Sequence, residues 1–96
     1  MKLFLVSPQE RSLEEIKNRI EKHFESAYYI SLEKRPYPVW VIATEKHQTI
    51  SEIAGLLGML EEDNSKCNAG IVFEIGNYRG FGSINIWEKL DAWTEG

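Results

Sequence analysis

Leu3-Phe4-Leu5-Val6 is an unbroken apolar run, which predicts a short strand over residues 2–6 covered on both faces. Ser12-Leu13-Glu14-Glu15 has the spacing of a capping box, in which the serine hydroxyl takes one helix amide and Glu15 reaches back to another. Leu13, Ile16, Ile20 and Phe24 follow at helical spacing, with Glu15 and Arg19 as an i,i+4 pair on the wet side. A first helix is predicted over 12–25. Tyr28, Ile30 and Leu32 then alternate with Tyr29, Ser31 and Glu33, a strand over 28–33 with one face toward the core. Lys34-Arg35-Pro36-Tyr37-Pro38 breaks it, because two prolines two apart do not belong in a central strand. Val39 to Thr44 is the next strand, rich in β-branched residues and apolar on both faces. No helix separates it from the strand before, so the two form an antiparallel hairpin.

Thr49-Ile50-Ser51-Glu52 is a second capping box, and Ile50, Ile53, Leu57 and Leu60 carry the stripe of a second helix. The polar run Glu61 to Ser65 ends it. Ile71, Phe73 and Ile75 alternate with Val72 and Glu74, a strand over 71–75 with one covered face. A loop spaced by glycines follows, and Asn85-Ile86-Trp87-Glu88 makes a third capping box. Ile86, Leu90 and Trp93 share a face of a short C-terminal helix.

The order β-α-β-β-α-β, with an additional short C-terminal helix, is that of an α+β, ferredoxin-like antiparallel sheet bearing two helices on one face. In that arrangement the strand order is 4-1-3-2. The first and third strands are then central, and these are the two read as apolar on both faces. Phe4 or Leu5, Trp40 or Val41, and Val72 must point to the face without helices, where an apolar patch requires a cover. A homodimer interface is predicted from Phe4, Trp40, Val41 and Val72, with Trp87 of the last helix at its rim.

Composition narrows the functional classes. Ninety-six residues, 43% of them hydrophobic, fit a single domain over 1–96. A net charge of −4 argues against tight non-specific nucleic-acid binding, which draws on Lys and Arg against phosphates, although it leaves room for a local basic patch. The single cysteine, Cys67, has no partner for an internal disulfide and no zinc-ligand spacing, which points to a reducing, cytoplasmic setting. The N-terminal apolar run is too short for a membrane span or signal peptide.

Candidate chemistry concentrates in the glycine loop. Tyr78-Arg79-Gly80-Phe81-Gly82 resembles the RNA-recognition-motif signature, but it follows the fourth strand instead of lying on the third. Asn77, Tyr78, Arg79 and Phe81, with Lys34 and Arg35 of the proline connection, form the candidate surface for RNA, DNA or a protein partner. His23 and His47 have no Cys, Asp or Glu at ligand spacing, and Cys67 reads as a bystander thiol. No catalytic residue, metal site or cofactor is predicted.

A resemblance spans nearly the whole chain. Leu3-Phe4-Leu5-Val6-Ser7, the strand Val39-Trp40-Val41-Ile42-Ala43-Thr44 with a helix start at Thr49, and Gly70-Ile71-Val72-Phe73-Glu74-Ile75 leading into an aromatic-glycine segment carry it. On these the chain resembles small ferredoxin-fold proteins related to the CRISPR-associated dimeric endoribonucleases, including SinR-like and VapD-like members. Nuclease members of that group place an aspartate at the end of the first strand, one per subunit, to hold a metal. Ser7-Pro8 stands there in this chain, with Glu10 beyond, and a serine hydroxyl is a poor ligand for a hard divalent cation. The resemblance therefore implies a non-catalytic, dimeric binding protein. Two alternatives are a metal-dependent endoribonuclease of toxin type and a small acidic inhibitor from a mobile element.

Overall fold

Val6 is paired with Trp40 on one side and Val72 on the other, in the middle of a four-stranded antiparallel sheet. The computed structural model describes residues 1–32, 38–45, 48–63 and 65–76. Within them, β1 (Lys2–Pro8), α1 (Leu13–His23), β2 (Tyr29–Leu32), β3 (Val39–Thr44), α2 (Ile50–Leu56) and β4 (Gly70–Ile75) follow one another, and the sheet order is β2-β3-β1-β4. Both apolar strands, β1 and β3, are central, and the chain is of the α+β class. The short C-terminal helix predicted from Asn85 onward lies outside the described residues.

Register aligns side chains into rows across all four strands. Tyr29, Ile42, Phe4 and Glu74 form one row, and Ser31, Trp40, Val6 and Val72 the next. Phe4, Val6, Trp40 and Ile42 from these rows pack with Ile16 and Ile20 of α1 and with Ile53 and Leu57 at α2, all of them buried. This is the main core. The rows between them project to the opposite face, since successive side chains alternate along a strand.

Pro8 shows how β1 serves two neighbours unequally. The Gln9 amide donates to the Ala69 carbonyl at 2.9 Å, which marks their pair as hydrogen-bonded. Bonded and non-bonded pairs alternate along an antiparallel ladder, so Pro8 opposite Gly70 is a pair that needs no N–H. Toward β3 the missing donor matters, and there the ladder stops at Val6–Trp40. Gly70 is itself required by a close approach. A Cβ there would lie 2.9 Å from the Ser7 carbonyl oxygen and 3.0 Å from the Pro8 Cα.

The helices follow their sequence signals in part. The Thr49 capping box forms: its hydroxyl accepts from the Glu52 amide, and the Glu52 carboxylate accepts from the Thr49 amide, both at 3.2 Å. Glu15 and Arg19 also meet as expected, at 3.0 Å. The Ser12 capping box does not form. A 3-10 turn at Glu10–Ser12 precedes α1, and the Ser12 hydroxyl instead accepts from the Ala69 amide at 2.8 Å.

Gly58, at φ 75°, ends the second helical run before Leu60 can reach the core. Ile53 and Leu57 are buried but Ile50 and Leu60 are exposed, so the predicted stripe is cut at both ends. The Asn68 amide donates to the Gly58 carbonyl, and its side chain donates to that of Leu57, both at 2.8 Å. These bonds satisfy carbonyls that the interrupted helix leaves open.

Candidate interaction surface

The face opposite the helices carries a row running Ile30, Val41, Leu5 and Phe73 across the four strands. Beside it, Leu3 stands between Ala43 and Ile75. Leu3, Ile30, Val41 and Ala43 form a second buried cluster, with Met1, Leu5 and Ile75 packed against it. Neither α1 nor α2 contributes to that cluster. Exposure rises sharply at one edge. Val41 is 5% exposed and Ile30 8%, whereas Phe73 and Ile71 on β4 are 52% and 55% exposed.

This placement changes the predicted interface. Phe4 and Trp40 lie in the core beneath the helices, and Val72 packs against that core from β4. Of the pairs the sequence left open, Leu5 and Val41 take the other face. A strand that is apolar on both sides carries no phase signal, so the choice falls to tertiary packing. On β4 the facing is the reverse of the one predicted. A Cβ at Gly70 would point toward the Met59 Cε, 3.1 Å away. Even-numbered residues of β4 therefore face the helices, and Ile71 and Phe73 point outward. Neither exposed side chain is among the residues predicted for the interface.

Polar groups around the surface have structural partners. Lys2 Nζ lies 3.5 Å from Glu74 Oε1 and donates to the Gln48 carbonyl at 3.1 Å. The Cys67 thiol is half-buried and donates to the Met59 carbonyl at 3.1 Å. Asp63 Oδ1 accepts from the Ser65 hydroxyl at 2.7 Å and from its amide at 2.9 Å. These bonds hold the Asp63 carboxyl below the usual aspartate range. His23 is exposed in the last turn of α1. Glu10 is exposed in the first turn of the 3-10 segment, and Ser7 is half-buried opposite Ile71. Among the described residues no three His, Cys, Asp or Glu side chains group as metal ligands.

Asn77, Tyr78, Arg79, Phe81, Trp87, Lys34 and Arg35 lie outside the described residues, as does His47. No helix among the described residues is long and apolar enough to cross a membrane. No family model matches the chain, and no curated protein matches it.

Proposed function

We propose that the chain is a non-catalytic, ferredoxin-like binding protein of the cytoplasm that works as a homodimer, in the manner of the CRISPR-associated and SinR-like group it resembles. The observation that carries this reading is the half-exposed pair Ile71 and Phe73, at the edge of an otherwise buried apolar sheet face. Scattered single apolar residues on a surface are ordinary. Two large ones continuous with a buried row mark an interaction site. Apolar side chains on a chain of net charge −4 favour a protein partner over nucleic acid.

Magnitudes say how far those side chains reach. Full burial of a large apolar side chain contributes about 1.5–3 kcal/mol, so half-exposed Ile71 and Phe73 on two copies contribute roughly 3–6 kcal/mol. Association costs about 4–15 kcal/mol. Further contacts must therefore share the interface, and the backbone of β4 is one source.

The non-catalytic part of the proposal rests on Ser7-Pro8 at the position where nuclease members carry aspartate. Incubation with labelled RNA, with and without magnesium, tests it. The RNA should remain intact in both. Cleavage that requires magnesium and disappears in Glu10→Ala would replace this reading with that of an endoribonuclease.

A further inference from the structure

The exposed side chains of β4 flank a strand edge with its own chemistry. Among the described residues β4 pairs only with β1. The Gln9–Ala69 bond sets the phase of that ladder, so Leu3–Ile75, Leu5–Phe73 and Ser7–Ile71 are its bonded pairs. The amides and carbonyls of Val72 and Glu74 therefore turn away from β1, toward the edge. Between Gly70 and Ile75 this edge has no proline and no lysine, two devices that commonly protect an outer strand from pairing.

We propose that two copies of the chain join edge to edge through β4, antiparallel about a two-fold axis, to make one eight-stranded sheet. This inference rests on the dimer proposed above and specifies how the copies meet. Self-pairing suits this edge because one register satisfies backbone, charge and apolar side chains together. With Phe73 opposite its own counterpart on the axis, Val72 of each copy faces Glu74 of the other. Both are residues whose backbone groups point outward, so the pairing makes four N–H to carbonyl bonds.

The charges agree with this register. The two Glu74 carboxylates are not directly opposite, which would be destabilising. Each keeps Lys2 of its own chain beside it. On the apolar side, Ile71 of each copy meets Ile75 of the other, and the row Ile30-Val41-Leu5-Phe73 continues into its symmetry mate. Isologous pairing of this kind closes at two copies, as a two-fold interface does.

Amide hydrogen exchange of the wild-type chain at low and high concentration is the test, with scattering mass recorded on the same samples. The Val72 and Glu74 amides should slow in step with the dimer fraction. Glu74→Pro, which removes an outward donor at an edge position that tolerates proline, should reduce the mass to that of one chain, while Glu74→Ala should remain a dimer. A dimer whose Val72 and Glu74 amides exchange freely would overturn edge pairing and leave a dimer formed through the sheet face. Slow exchange of the same two amides in the monomer would also overturn it, because the edge would then be covered within one chain. A single-chain mass at every concentration would refute the dimer itself.

Discussion

The Ser12 hydroxyl accepts a hydrogen bond from the Ala69 amide at 2.8 Å, joining positions 57 residues apart. Ser12 is 2% exposed, and its bond ties the entry of α1 to the residue before β4. Ser12→Ala leaves that part-buried amide without its acceptor, and the expected loss is about 1–3 kcal/mol. Urea denaturation measures it. A loss no larger than that of an ordinary surface substitution would show that water replaces the hydroxyl.

Thr49→Ala removes a cap at the surface and acts through α2 alone. The expected loss is about 1 kcal/mol, with Thr49→Ser close to wild type because the accepting oxygen is kept. Comparing the two variants in one denaturation series checks the mechanism. Equal losses would point to the lost methyl group and away from the cap.

Two glycines on the same strand and turn should respond oppositely to a single added methyl. At Gly70 the new Cβ would meet the backbone of Ser7 and Pro8, and overpacking of this kind costs about 1–3 kcal/mol. At Gly76 nothing among the described residues lies within 4 Å, so Gly76→Ala should stay within about 0.5 kcal/mol of wild type. Thermal melts of Gly70→Ala and Gly76→Ala that coincide would contradict the close approach of β4 to β1.

Asp63 should titrate below the ordinary aspartate value because its charged form accepts two bonds from Ser65. A depressed carboxyl stabilises the fold above its unfolded pKa, and that contribution disappears as pH falls through the folded value. Asp63 is fully exposed, so the carboxyl resonance reports this effect better than a melt does. Ser65→Ala should raise the midpoint, the backbone bond alone remaining. An unchanged midpoint would mean that the hydroxyl contributes nothing to the charged form.

Much of the architecture was legible in hydrophobic period alone. Val39 to Thr44 coincides with β3, and the stripe Leu13, Ile16, Ile20 with α1. Element ends were less legible. α1 stops at His23 because Phe24 is extended, at φ −125° and ψ 135°, a conformation that nothing in its apolar spacing signals. The Ser12 box failed because a distant amide competes for the same hydroxyl, and local spacing does not contain that competitor. Which face of the sheet each apolar side chain takes was the least legible part. Phe4 and Leu5, or Trp40 and Val41, are equally apolar neighbours, and only packing beneath the helices separates them.

The proposed dimer joins two copies of the chain at the exposed pair Ile71 and Phe73 on β4. Light scattering of the wild type and of Phe73→Glu tests it most directly, because residue 73 is 52% exposed and a charge there leaves the core intact. The wild type should scatter at twice its 11.1 kDa chain mass, and Phe73→Glu at the mass of one chain with a melting temperature close to wild type. A wild type that scatters as a single chain, or a Phe73→Glu variant that remains a dimer, would rule out an interface at this pair.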